Sequence, residues 1–314
     1  MPLLTLFTAP KPFTDSHIRM VQCNMLRNWQ VLGEDVNVVV IGDEPGIAEH
    51  CQELGITHLP NVRCNDVGTP LISSIFELAR EVSDTPLLTY ANADILFLPE
   101  LLDAARNLAE VKEHFLAVGQ RYDMDIDAPI EFDRDWDQAL LSRIRKEGVL
   151  HRRTGSDYFV FPRESFQDIP DFAVGRAGWD NWMIFRARWQ GWPVIDLSEA
   201  VTVVHQNHDY SHLPGGVVHY YQPETSVNVR LAGGRRTIFT LQDVTHALKF
   251  DGLQKKHLDW HGFWREVEIF PLVRLHSHLL GWLFFALFHP VKAFNMVRGW
   301  VSYKVKRLKR RGDE

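Results

Sequence analysis

Residues 87–98, Leu-Leu-Thr-Tyr-Ala-Asn-Ala-Asp-Ile-Leu-Phe-Leu, place two polar side chains inside an apolar run. In an extended chain a spacing of two puts Asn92 and Asp94 on one face. An amide oxygen beside a carboxylate suits chelation of a hard cation, which in turn grips a diphosphate. The same residues also suit a turn, since Asn and Asp are common turn formers. A second set follows a β-branched run: Val203 to His212 carries His205, His208 and His212. Imidazole favours Mn2+ over Mg2+, and His205 lies nearest the strand end. The third set is Gly175-Arg176-Ala177-Gly178-Trp179-Asp180-Asn181-Trp182. A carboxylate beside apolar rings can have its pKa raised toward the working pH, which suits a general base. Asp180 also suits a helix cap set among core tryptophans. Asp157 opens a strand and is a candidate ligand for a substrate hydroxyl. Arg121 follows a strand and suits either a phosphate or a nearby carboxylate.

The elements that must position these residues alternate. Leu3–Thr8 reads as a buried strand. A helix capped by Asp15 runs to about Leu32, with Ile18, Val21, Met25 and Trp29 on one face. Val36–Ile41 is a β-branched strand, and the next helix ends at Leu54 before Gly55. The pattern predicts a helix over Thr69–Val82, a strand over Pro86–Tyr90, a helix over Leu101–Val111 and a strand over Phe115–Gly119. Farther on it predicts helices over Gln138–Lys146 and Asp180–Gln190, and strands over Tyr158–Phe161 and Val201–His205. Such alternation implies a mainly parallel sheet with helices on both faces. Ligands then bind beyond the carboxyl ends of the strands. Thr8-Ala9-Pro10, Gly42-Asp43-Glu44, Asn92-Ala93-Asp94 and Gln120-Arg121 fall at those ends.

With 45% hydrophobic and 24% charged residues, the chain has the composition of a globular protein. A net charge of -6 argues against nucleic acid as partner. From Lys292 onward, eight basic residues against Asp313 and Glu314 make a +6 segment, which leaves -12 for the rest. Three cysteines without a Cys-x-x-Cys argue against a disulfide framework or a thiolate zinc site. The opening residues lack a basic segment and a long apolar run, so the expectation is a cytoplasmic protein.

The order of strand, Gly-Asp-Glu turn, helix, Gly-Thr-Pro and Asn-Ala-Asp strand resembles the nucleotide-sugar glycosyltransferases of the GT-A fold. The resemblance covers roughly Leu3 to His212. Tyr-Ala-Asn-Ala-Asp, Gly-Gln-Arg-Tyr-Asp, Gly-Ser-Asp-Tyr-Phe-Val-Phe and Gly-Arg-Ala-Gly-Trp-Asp-Asn-Trp carry it. It implies a Rossmann-like mixed α/β domain over 1–250, with a donor half to about 122 and an acceptor half from 123. A helical, membrane-proximal extension would follow over 251–314. It implies Mn2+ or Mg2+ held by Asp94, His205 and Asn92, although this chain departs from the family at Asn92, where Asp is usual. It places Thr8, Ala9, Pro10, Asp43, Gly68, Thr69 and Arg121 on a nucleotide-diphosphate sugar. Asp180 becomes the base of an inverting reaction. Trp179 and Trp182 stack on sugar faces, and Asp157 and His208 join them on the carbohydrate or lipid-linked acceptor. Thr69 before Pro70 suits a helix cap equally well.

Two other readings stay open. One is a non-catalytic nucleotide- or sugar-binding scaffold. The other is a metal hydrolase built on His205, His208, Asp209 and His212, though these lack a helical His-Glu-x-x-His. No Gly-x-Gly-x-x-Gly follows the first strand, and there is no Walker A loop. At the far end, residues 275–291 contain no Asp, Glu, Lys or Arg, and Leu279–Phe288 is shorter than the ~20 residues needed to cross a bilayer. Trp300, Tyr303 and the cations of Lys304–Arg311 follow, which gives the expectation of peripheral membrane association.

Overall fold

A computed structural model describes residues 2–111, 114–208 and 222–298. In chain order the elements are β1 (Leu4–Thr8), α1 (Ser16–Val31), β2 (Val36–Ile41), α2 (Ile47–Leu54), β3 (Thr57–Leu59), α3 (Ile72–Val82), β4 (Leu87–Ala91) and β5 (Ile95–Phe97). There follow α4 (Glu100–Ala109), β6 (Leu116–Val118), β7 (Tyr122–Met124), α5 (Trp136–Glu147), β8 (Val149–Leu150), β9 (Tyr158–Pro162), α6 (Trp179–Trp189), β10 (Val194–Asp196) and β11 (Val203–Gln206). Last come α7 (Pro223–Leu231), β12 (His246–Lys249), β13 (Gly252–Lys255), α8 (Trp260–Val273) and α9 (His278–Phe288).

The central sheet has nine strands in the order β13-β12-β10-β6-β9-β4-β1-β2-β3. All run in one direction except β9 and β13. Every residue of β1, β4 and β6 is buried, so both faces of the sheet are covered, as the continuous apolar runs imply. The chain is thus a mixed α/β fold with a mainly parallel sheet. The reversed β9 and β13 make the sheet mixed, as expected, and a second, four-stranded sheet has the order β5-β11-β7-β8.

Local chemistry sets the boundaries. Asp15 caps α1, its Oδ1 accepting from the Ile18 N–H at 2.9 Å. Gly55 ends α2 in the left-handed region at φ 66°, where a side chain would be strained. The helix expected from Thr69 starts at Ile72 instead, and Leu71 is its cap. Residues before it stay extended because Pro70 and Leu71 bridge to Cys64 and Ala173, and the Leu71 N–H bonds the Arg63 carbonyl at 2.9 Å.

Helix α1 ties the two sheets together. Asn28 exchanges bonds with the Phe97 backbone at 3.0 and 2.8 Å, and the Trp29 indole donates to the Ile95 carbonyl at 3.0 Å. Asn24 donates to the Gln206 side chain at 3.0 Å. These buried polar groups are satisfied only when β5 and β11 sit in one register.

Residues to Arg188, with Trp192–Lys256, form one compact unit that includes β12 and β13. Trp189–Gly191 and the residues from His257 onward form a second. In the second, Asp259 caps α8, accepting from the Gly262 N–H at 2.7 Å. Helices α8 and α9 approach closely at Gly281, where a Cβ would stand 3.1 Å from that of Leu272. Buried Glu268 is paired with Arg265 at 3.0 Å and His289 at 3.1 Å. Another helix begins at Pro290 and is described to Arg298, bent by 116° from α9. Trp300, Tyr303 and Lys304–Arg311 lie outside the described residues, as do Asp209 and His212.

Candidate metal centre and its supporting network

The apolar run that Asn92-Ala93-Asp94 interrupts does not resume in the same sheet. Strand β4 ends at Ala91, the three residues turn (Ile95 N–H to Asn92 carbonyl, 3.2 Å), and the chain re-enters as β5 in the smaller sheet. Strand β11 pairs antiparallel with β5, setting Ile95 opposite His205. It pairs parallel with β7, setting His205 opposite Asp123. The Gln206 N–H then bonds the Asp94 carbonyl at 3.0 Å. Strand register therefore sets Ile95, His205 and Asp123 in one row, and Asp94 stands one residue before Ile95, beside Gln206.

The ligand atoms of Asp94, His205 and His208 lie within 4.8 Å of one another, a group able to hold a metal ion. The Asp94 Oδ2 is 3.0 Å from His208 Nε2 and 3.9 Å from His205 Nε2. Asp94 is 8% exposed, and its other oxygen, Oδ1, is buried with no hydrogen-bond partner among the described residues. An orphaned buried carboxylate oxygen is expensive unless a cation meets it. Two imidazoles and a carboxylate suit a divalent transition-metal ion, and Mn2+ accepts imidazole more readily than Mg2+ does. The residues present therefore fit the metal. Burial works to raise the Asp94 pKa, but His205, His208 and Lys11 outweigh it and hold the carboxyl well below its usual range.

Lys11 is the residue that sequence reasoning missed. Its Nζ lies 3.0 Å from His208 Nε2, on the loop that follows β1. Burial pulls its pKa down, against the attraction of Asp94. Gln22 fixes the loop, its Oε1 accepting from the Lys11 N–H at 2.7 Å and its amide donating to the Lys11 carbonyl at 2.9 Å. The only signal in the sequence was a cation directly after a strand end.

Behind the cluster stands a network. His205 Nδ1 faces Asp123 Oδ1 at 3.4 Å. Asp123 also takes bonds from Arg121 Nε at 2.9 Å and His151 Nδ1 at 2.6 Å. Burial would raise the Asp123 pKa, but His205, Arg121 and His151 together depress it. Arg121 pairs in addition with Asp157, which accepts from the Asn92 amide at 3.0 Å. A carboxylate behind an imidazole fixes ring orientation and raises ligand basicity. Asp123→Asn is therefore expected to weaken Mn2+ binding about 10–100-fold by titration calorimetry, with the circular dichroism spectrum unchanged. Unaltered affinity would remove Asp123 from the site.

Several expected contacts come out differently. Asn92 and Asp94 do not share a face, because the turn between them sends the Asn92 amide to Asp157 and Asp94 to the histidines. His208, expected at the acceptor, stands on Asp94. Arg121, expected at a phosphate, is engaged by two carboxylates. Trp179 and Trp182 are 5% and 6% exposed. Trp179 meets Tyr90 edge-on at 5.0 Å and Trp182 meets Phe172 at 5.4 Å, so both rings belong to the core. Helix α6 buries both rings, while Asp180, Asn181 and Arg186 stay partly exposed.

Asp180 sits in the first turn of α6, partly exposed, accepting from the Gly178 N–H at 3.1 Å. Burial raises its pKa despite the backbone N–H bonds that oppose the shift. Tyr90 is raised too, by burial first and then by Asp94 and Asp180, so both carboxylates act on one phenol. On the expected donor side, Thr8 is fully buried with its hydroxyl unbonded, Pro10 is buried and Ala9 is partly exposed. Asp43 and Gly68 are exposed. The Thr69 N–H bonds Asn65 Oδ1 at 2.9 Å, and Asn65 and Arg176 both bond Glu224, at 2.6 and 2.8 Å.

The sequence matches no protein-family model and no curated protein. Among solved structures it is similar to a mannosyltransferase from Pyrobaculum calidifontis in complex with GDP-Man and Mn2+, at 12% identity and a TM-score of 0.42 over 67% of this chain. The chain spans 59% of that protein's length. It is also similar to glucosyl-3-phosphoglycerate synthase from Mycobacterium tuberculosis in complex with Mg2+ and UDP, at 12% identity and a TM-score of 0.43, over 74% of this chain and 80% of that one. The same enzyme with Mn2+, UDP and phosphoglyceric acid gives 12% identity and a TM-score of 0.43, over 74% and 79%. Likeness at this level carries no argument about activity.

Proposed function

We propose that the chain is a metal-assisted glycosyltransferase that moves a sugar from a nucleotide-diphosphate donor to an acceptor hydroxyl on a glycan or glycolipid, with inversion. The observation that carries this reading is the Asp94–His205–His208 cluster, with its unbonded carboxylate oxygen, just past the carboxyl end of β4. In sheets of this kind ligands bind at that edge. Asp94, His205 and His208 would hold Mn2+ or Mg2+, with Asp123 orienting His205. When bound, the ion would offset the charge growing on the leaving diphosphate. Lys11 adds a fixed cation on the same side. Thr8, Ala9, Pro10, Asp43, Gly68 and Thr69 remain the donor-side assignments. Asp180 takes the proton from the acceptor hydroxyl, a role that its raised pKa suits.

The test is release of nucleoside diphosphate by purified protein from a panel of UDP- and GDP-sugars. Turnover is expected with Mn2+, strongest once an acceptor is supplied, and none in excess chelator. Equal turnover in chelator would refute the metal assignment.

A second reading is favoured by Lys11. An ammonium 3.0 Å from His208 gives Asp94 a counter-charge of the protein's own, as a non-catalytic binding scaffold would need. In that case a donor raises the melting temperature but is never consumed.

A further inference from the structure

Helix α9, His-Leu-Leu-Gly-Trp-Leu-Phe-Phe-Ala-Leu-Phe, has no charged residue, yet only Gly281 and Phe285 are buried. A helix apolar all round needs apolar surroundings on all sides. Here Leu279 is 72% exposed and Leu287 73%, and beyond the bend Phe294 is 66% exposed. Helix α8 adds Trp260, 69% exposed, with Phe263 stacked on it at 6.2 Å and Trp264 edge-on at 5.5 Å. Scattered surface leucines need no explanation, but aromatic and aliphatic side chains gathered on one short stretch of chain do.

Length decides how such a surface meets a lipid phase. Eleven residues make about 16 Å of helix, roughly half the hydrocarbon thickness of a bilayer. The chain then turns by 116° into the helix from Pro290; among the described residues no single helix is long and apolar enough to cross, and α9 with the helix after it reaches that length and composition only as a bent pair. Short apolar helices with tryptophans lie along an interface.

Charge identifies the kind of surface. Between Arg274 and Lys292 the chain carries no Asp, Glu, Lys or Arg. Lys292 and Arg298 follow, and six more cations come between Lys304 and Arg311, while the rest of the chain is acidic. Apolar helices joined to a run of cations complement an anionic leaflet, where hydrocarbon takes the former and headgroups attract the latter. An apolar protein partner would not call for the cations. We infer that α8, α9 and the helix described to Arg298 dock in the interface of an anionic bilayer, without spanning it. The inference stands apart from the metal centre and holds for enzyme or scaffold alike.

The test is flotation of the full chain with phosphatidylcholine vesicles and with mixed phosphatidylcholine–phosphatidylglycerol vesicles. Protein is expected to float with the mixed vesicles, less so with phosphatidylcholine alone, and to be released as salt rises. The double variant Leu279→Glu/Leu287→Glu changes two exposed positions, so the core is untouched, and partition should fall at least about tenfold. Gln in place of the six cations from Lys304 to Arg311 should remove the preference for anionic lipid while leaving the apolar component. Circular dichroism and melting temperature verify that each variant is folded, and Phe294→Glu serves if the double variant is not. No flotation of the wild-type chain, or equal flotation of the glutamate variants, overturns the inference. So does a dimer on gel filtration that the glutamate variants dissociate, since the face would then belong to a second copy.

Discussion

Asp94→Ala is expected to reduce sugar transfer by about 1,000-fold or more and to abolish Mn2+ binding, while the protein stays folded. Asp94 supplies the only carboxylate of the cluster, and its Oδ1 has no protein partner to lose. The bonds that hold the turn use the backbone: Gln206 N–H to the Asp94 carbonyl, and Ile95 N–H to the Asn92 carbonyl. Alanine keeps both. The variant does leave Lys11, His205 and His208 without their anion, so a modest loss of thermal stability should accompany the loss of activity. Near-normal turnover together with lost Mn2+ binding would separate the ion from the chemistry. Near-normal turnover with Mn2+ still bound would place the centre elsewhere.

Asp180→Asn should lower the rate by about 100-fold with donor affinity nearly intact. The amide oxygen can still accept from the Gly178 N–H, so the first turn of α6 keeps its geometry. The pH profile adds a readout that a structural role would not change. A base must be ionised, so the wild-type rate should rise with pH through a pKa that burial holds above the ordinary carboxyl value. That limb should vanish in the variant. An unchanged rate, or product of retained configuration by NMR, would remove Asp180 as base.

What could be read in advance was mostly local. The β-branched run of β2, the Asp15 cap and the Gly55 stop each lie within a few residues of what they determine. The mainly parallel sheet follows from such pieces in alternation. The reversed β9 does not, because an apolar strand reads the same in either direction. Within the site, Asp94 and His205 stood out as polar groups at strand ends. Asn92 was grouped with Asp94 because the two-residue rule applies to extended chain, and here the chain turns. Lys11, a cation after a strand end, and Asp123, the last residue of Gly-Gln-Arg-Tyr-Asp, carry no local mark that ties them to the histidines, since they reach the cluster through a loop and through pairing of β11 with β7. Trp179 and Trp182 read equally as a sugar platform or as core, because ring type and spacing alone do not distinguish a core ring from a binding ring.

The turn at Asn92-Ala93-Asp94 has an effect on the folding of the whole chain. Asp94 and His208 meet although they stand 114 positions apart in the sequence. Closing so long a loop is entropically unfavourable, and the penalty grows only slowly with length. An ion bound by both ends would act as a removable cross-link, drawing on the same entropy as a disulfide. Supply of metal would then influence how long the chain survives as well as how fast it works, because whatever binds the native state alone withdraws molecules from the unfolded pool.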